Sequence, residues 1–459
     1  MLQAVEEKPG RDAADRFAAY IGAASGAAGA ATYARLLLLD FIGVGLLGSR
    51  EPRMERVESA YRGLSGSGSA TTLRGARLSA PHAAFMNALF AHSTDWDDSH
   101  LSAITHPGAP IWGGLLALAE GMQVGSEDLL EAAVVGYETT IRLGQAVQPQ
   151  HMFQGFHGTA TCGIFGAAAA CARLLGLDRD ETRHALGLAA SSASGLTQCI
   201  LAGSHAKSFQ TAKAANDGAM AAILARAGMD APTQSIEGPR GFLRAYCGGQ
   251  EKTLDLDGLG RDDARILGVM IKRFPIAAHL HGAVDAAINL VKTASIDPGA
   301  IVSVKVVVDP AIARNNGNTA PRDLQAACMS LPFCIAAVLG KAAGSAGLDH
   351  DAIERGFADK SVLDLAKKVE CTGWPAETGR STGSSMWSRI VVSTAKGENA
   401  AEADPYWGAT APDARAIIVG KFLRVTTGVL SAAAQQDCIA NVLDGTRLTI
   451  PEIVPAMQR

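Results

Sequence analysis

ATYARLLLLDFIGVGLLG, Ala31 to Gly48, supports two readings that lead to different proteins. Its last six residues satisfy a GxGxxG pattern, and LLLLDFI in front of them could be the strand that opens a dinucleotide-binding unit. That unit needs a βαβ setting, with a second strand soon after the helix that follows the glycines. Here the apolar residues before Gly43 continue a helical pattern, and no strand pattern recurs for more than 200 residues. The stretch is read as a packed helix punctuated by glycine.

The same period extends outward. PHAAFMNALFAHSTDW, GAPIWGGLLALAEGM, EDLLEAAVVGYETTIRLGQAV, HGTATCGIFGAAAACARLLG and DETRHALGLAASSASGL place apolar residues at i, i+3, i+4 and i+7. With 50 glycines and 5% aromatic residues, such helices can approach closely on Ala and Gly ridges. After about residue 268 the pattern changes. IVSVKVVVD (Ile301–Asp309) and SRIVVSTAKG (Ser388–Gly397) alternate as strands do, with helical stretches near Leu324–Gly340 and Ala352–Lys368 between them. Helices resume in ARAIIVGKFLRVTTG and LSAAAQQDCIANVLDG. The expected fold is mostly α: an all-helical domain over residues 1–267, a smaller α+β domain over 268–405, and C-terminal helices (406–459) returning to the first.

Length and composition narrow the function classes. A chain of 459 residues exceeds one ordinary core. Charged residues are 19%, below the usual ~25%, which favours a buried interface and hence a homodimer. A net charge of −4 recommends neither a nucleic-acid nor an anionic-membrane partner. MLQAVEEKPG lacks the features of a secretory signal, and runs such as GIFGAAAACA look too short to span a bilayer. The eight cysteines form no CxxC pair and sit among apolar residues, as free thiols in a reducing cytoplasm would.

Against this apolar background, HSTDWDDSHLSAITHPGAP (His92–Pro110) crowds three aspartates and three histidines into fifteen residues. If the preceding helix runs on to Asp98, then Asp95, Asp98 and Ser99 share a side and Asp97 points away. Asp95, Asp98, His100 and His106 could ligate a metal, but the segment contains no HxxxH or HxH pair, so no metal is expected. A terpene-cyclase role for DWDD would want an aromatic pocket that this chain is ill equipped to build. A solvated loop or an acid/base site remains. Three further polar islands favour the latter: Phe156-His157-Gly158 before an Ala-rich helix, Lys207 within an apolar one, and IKRFPIAAHLHG (Ile271–Gly282), with Lys272, Arg273, His279 and His281 at the expected domain junction.

Taken together these islands resemble the MmgE/PrpD family over most of the chain. Asp95-Trp96-Asp97-Asp98-Ser99 is similar to that family's DFDDT, Thr105-His106-Pro107 to its HP segment, and Gly155-Phe156-His157 to its GFH. Lys207 stands before Ala214-Ala215-Asn216 as the family's lysine does, and Lys272-Arg273-Phe274-Pro275 is similar to its K-x-(Y/F)-P. Ala327–Phe333 reads ACMSLPF where the family often has AKFSLPY, keeping Ser330 but neither the lysine nor the tyrosine; Ile276-Ala277 stands where the decarboxylases place a histidine.

The resemblance implies a helical domain with an α+β lid, a homodimer, and no metal or organic cofactor. It also implies a lyase of a small di- or tricarboxylate. Dehydration of a 2-methylcitrate-like acid is the first expectation. Decarboxylation of a cis-aconitate-like acid and epimerisation of a dicarboxylate are alternatives, and a non-catalytic small-molecule-binding homologue is a reading from another class. His106 and His157 are the expected proton-transfer pair, with Asp95 tuning a histidine. Ser99, Lys207, Lys272, Arg273, His279 and Ser330 are expected to bind the substrate.

Overall fold

A computed structural model describes residues 12–23, 28–65, 68–202, 204–260, 264–343, 347–375, 386–405 and 408–455. The MLQAVEEKPG stretch lies outside these. The chain divides into two compact units, Met1–Ile271 with Gly408–Arg459, and Lys272–Trp407.

The first unit is built on long helices. Ala28–Gly48 includes the whole GVGLLG motif as helix, so the nucleotide-loop reading is set aside. A Cβ on Gly45 would stand 2.4 Å from Leu73, and one on Gly48 would stand 2.0 Å from the Phe90 carbonyl. These glycines are there for close approach. The Ala206–Arg226 helix packs on Ala80–Ser93, Gly108–Ala119 and Gly163–Leu175. Glycine serves the same purpose here: a Cβ on Gly218 would meet Ala167 at 2.5 Å, and one on Gly113 would meet the Ala84 carbonyl at 2.8 Å. The helices Ala414–Val425 and Ala432–Asp444 pack on Ala28–Gly48, with Phe422 and Val425 against Gly43.

Three details depart from expectation. The unit carries one small antiparallel hairpin, Ala70–Thr71 with Arg77–Leu78, so it is not purely helical. The Ala80–Ser93 helix stops before the acidic stretch, because Asp95 takes a left-handed backbone with φ 50° that a helix cannot contain. The windows Gly29–Gly48 and Gly158–Leu175 are, at 20 and 18 residues, long and apolar enough to cross a bilayer. Some 78% and 89% of them is buried within the protein, so their apolar character serves the core.

The second unit holds a four-stranded sheet in the order Val369–Gly373, Ile301–Val308, Ser388–Thr394, Gly397–Ala403. The first pair is parallel and the other two are antiparallel. Val304, Val306, Val308, Ile390 and Val392 point into a core shared with the helices His281–Thr293 and Leu331–Leu339. The eight cysteines are free thiols, six of them buried.

Candidate active site

Asp97 is the hub of a buried cluster in the first unit. Its Oδ2 lies 2.7 Å from Nδ1 of His92, and its Oδ1 lies 3.3 Å from Nδ1 of His106. The three come from neighbouring positions. His92 ends the Ala80–Ser93 helix, Asp97 follows the left-handed turn at Asp95, and His106 precedes the Gly108–Ala119 helix. The rings of His92 and His106 meet edge to face at 4.9 Å, and the ring of His157 lies 6.2 Å from that of His92.

Electrostatics sharpen the arrangement. Burial lowers the His92 imidazole to about 4, despite the opposing pull of Asp97. Burial, with the neighbouring His92, Lys207 and His106, holds His157 well below the ordinary imidazole value. Both rings are therefore neutral near pH 7. Burial alone would raise Asp97, but the two imidazoles beside it outweigh that and hold its carboxyl well below the usual range. An ionised carboxylate only accepts, so His92 presents Nδ1–H to it across the 2.7 Å contact, while Nδ1 of His106 stands farther off, at 3.3 Å. The lone pair of His92 is then on Nε2, which is buried and has no hydrogen-bond partner among the described residues.

Lys207 and Asp95 form the charged flank. Nζ of Lys207 is 2.7 Å from Oδ1 of Asp95, which also lies 3.9 Å from Nε2 of His106. Nδ1 of His157 lies 3.0 Å from the side-chain amide oxygen Oε1 of Gln210, about one helical turn beyond Lys207. Asp95, His106, His157 and Lys207, singled out in the sequence, are thus brought together.

Ser99 is placed otherwise. Its backbone exchanges hydrogen bonds with Met270, and its hydroxyl donates to the Thr105 carbonyl at 3.4 Å. The remaining four belong to the second unit, where three have partners from that unit. Lys272 is fully buried, Arg273 pairs with Asp285 at 2.7 Å, and His279 bonds Asn316 at 2.9 Å. The Ser330 hydroxyl caps the Leu331–Leu339 helix by accepting from Phe333 N–H, and donates to the Asn318 carbonyl.

Sequence reasoning missed His92, Asp97 and Gln210. Asp97 was expected to point away; the left-handed turn at Asp95 reverses that by ending the helix and swinging Asp97 inward. His92 carried a readable signal, as the single imidazole of an otherwise apolar helix end, FMNALFAH. The metal-ligand set weighed above also changes. Asp98 accepts from Tyr137 and Gly108, and Nδ1 of His100 accepts from Ala103 N–H, so neither joins the cluster. Among the described residues, the group that could hold an ion is His92, Asp97 and His106, whose ligand atoms lie within 4.8 Å of one another. The 2.7 Å contact between His92 and Asp97 is a hydrogen-bond distance, which suits proton handling better than shared ligation.

Comparison with known proteins agrees with the sequence motifs. Residues 15–255 match the MmgE/PrpD N-terminal domain and residues 274–444 match the MmgE/PrpD C-terminal domain. A cis-aconitate decarboxylase-like protein of Aspergillus oryzae is 35% identical over 204 residues, 42% of this chain and 42% of its own length. The cis-aconitate decarboxylases of Homo sapiens and Aspergillus terreus are 32% and 29% identical, each over 56% of this chain and 54% and 55% of their own lengths. The chain thus spans about half the length of the curated relatives it matches. With both family domains matched in order, and the first alone covering more than half of the sequence, the chain belongs to the MmgE/PrpD family.

Proposed function

We propose that this protein is a lyase of a small di- or tricarboxylic acid that works by proton transfer at a carbon beside a carboxylate. The arrangement that supports this above all is the ionised Asp97 between His92 and His106, next to the Lys207–Asp95 ion pair. Imidazoles oriented by a buried carboxylate are suited to accept and return protons. A lysine with three donors can bind a substrate carboxylate while keeping its aspartate.

In dehydration, His157, neutral near pH 7, removes the carbon-bound proton. The carbon–oxygen bond breaks, and the hydroxyl leaves as water after taking a proton from His106, which enters the step as the proton-bearing partner. Each proton transfer contributes roughly 10²–10⁴-fold. Lys207 stabilises the negative charge that grows on the carboxylate as the proton departs. Asp97 orients the His106 ring, whose Nδ1 lies 3.3 Å from its Oδ1.

Decarboxylation is the second reading, favoured by the names of the relatives. The carbon–carbon bond then breaks, carbon dioxide leaves, and a protonated group of the same pair delivers its proton to carbon. Incubation with 2-methylcitrate, citrate and cis-aconitate separates the cases. An unsaturated acid formed from a hydroxy acid identifies a dehydratase, and carbon dioxide release from cis-aconitate identifies a decarboxylase. Deuterium uptake from heavy water without either product identifies an epimerase. None of the three, with measurable binding, would overturn the lyase reading.

A further inference from the structure

We infer that Lys421 is a positioning residue for the acid/base cluster, holding the peptide between Asp95 and Asp97 from the C-terminal helix Ala414–Val425. This rests on the acid/base reading given above. Nζ of Lys421 donates to the Trp96 carbonyl at 2.6 Å and lies 2.6 Å from Oδ1 of Asp40 on the Ala28–Gly48 helix. Both charged side chains are buried, at 3% and 2% exposure. The Trp96 ring is covered by Arg424 at 5.2 Å, from the same C-terminal helix.

A buried ion pair is weak evidence for stability, because desolvation offsets most of the attraction and an apolar pair of similar volume often serves as well. The carbonyl bond is what an apolar pair could not supply. Trp96 is the single residue between Asp95, which holds Lys207, and Asp97, which holds His92 and His106. The Trp96 carbonyl belongs to the peptide that joins Trp96 to Asp97, just past the left-handed Asp95, so the orientation of that peptide decides where the Asp97 carboxylate stands. A cation anchored by Asp40 and pointed at that carbonyl fixes the orientation. The residues so linked lie 325 positions apart in the chain, which places a control point for the cluster in the C-terminal helix.

The Asp40→Asn/Lys421→Met double variant removes both charges and leaves neither unpaired. Expected is a folded full-length protein whose kcat, on whichever acid the parent converts, falls ~10-fold or more with KM changed less than ~3-fold, as misplacement by a fraction of an ångström produces. The ¹⁵N imidazole resonances of His92 should lose their Nδ1-protonated pattern, and those of His106 should shift. A folded double variant with parental kcat and an unchanged imidazole spectrum would overturn the inference. If the parent converts no acid, the lyase reading fails, and the imidazole spectrum alone decides the role of Lys421. Should the double variant not fold, Lys421→Arg keeps the charge beside Asp40 but moves the donor. It is expected to shift the same resonances, and unchanged resonances would again overturn the inference.

Discussion

The phenol of Tyr137 donates to Oδ2 of Asp98 over 2.6 Å, and both groups are shut away from solvent. Gly108 N–H donates to Oδ1 at 2.9 Å, and the Trp112 indole donates to the phenol oxygen at 3.1 Å. The network ties the acidic turn to the start of the helix that follows His106. Burial is the main reason that Asp98 rises to about 7, above its usual 3.8, although its hydrogen bonds pull the other way. A carboxyl with a raised folded value binds its proton more tightly folded than unfolded. Its contribution is fully present below about pH 4 and is lost as pH rises through about 7. Urea denaturation at pH 5 and pH 8 should show parent stability falling across that range relative to Asp98→Asn. Parallel behaviour of the two proteins would refute this.

The buried histidines give the opposite sign on the acid side. His92 drops to about 4 from 6.5 through burial, and His157 is lowered for the same first reason. Imidazoles depressed in the folded state contribute stability above pH 6.5 that is lost as pH falls toward 4. If either must be neutral for catalysis, the acid limb of kcat/KM lies below pH 6.5 in the free enzyme. A limb at or above 6.5 would separate these rings from the rate.

Asp97→Asn should lower kcat by ~10²-fold or more in a protein that still folds, since an amide can present N–H where His92 needs an acceptor and removes the charge beside His106. His106→Ala and His157→Ala should each cost ~10²-fold or more through lost proton transfer. Lys207→Ala should weaken substrate affinity as well, because its charge meets the carboxylate before the chemical step. Steady-state kinetics on the identified acid decide among these. Normal turnover in both histidine variants would leave the cluster a structural one.

Activity should survive exhaustive chelation, because the Asp97 oxygens are engaged by imidazole nitrogens at hydrogen-bonding and ion-pair distances. Loss on treatment with chelator, reversed by one divalent ion, would instead make His92, Asp97 and His106 metal ligands.

Glycine packing makes a stability prediction with an internal control. A Cβ on Gly166 would stand 1.9 Å from the Thr140 hydroxyl and 2.7 Å from the Gly136 carbonyl, so Gly166→Ala should cost ~1–3 kcal/mol or more. At Gly420, in an exposed helical position, a Cβ meets nothing within 4 Å. Gly420→Ala should stabilise by roughly 0.5–1 kcal/mol. Chemical denaturation of the two variants measures both.

The amino-acid sequence by itself determined the helical character of the first unit, the two valine-rich strands and the motifs that carry Asp95, His106, His157 and Lys207. Periodicity and β-branching act between near neighbours, so Ala28–Gly48 and Ile301–Val308 were legible as they stand. The strand Gly397–Ala403, reading GENAAEA, was not legible, because it lacks β-branched residues and owes its form to pairing with Ser388–Thr394. Tertiary structure alone decided which way Asp97 faces, since that follows from one left-handed residue at Asp95. It likewise decided that His92 joins the cluster and that Lys421 reaches Trp96. Convergence of side chains distant in sequence depends on where helices end and which helices pack together, and no local pattern records either.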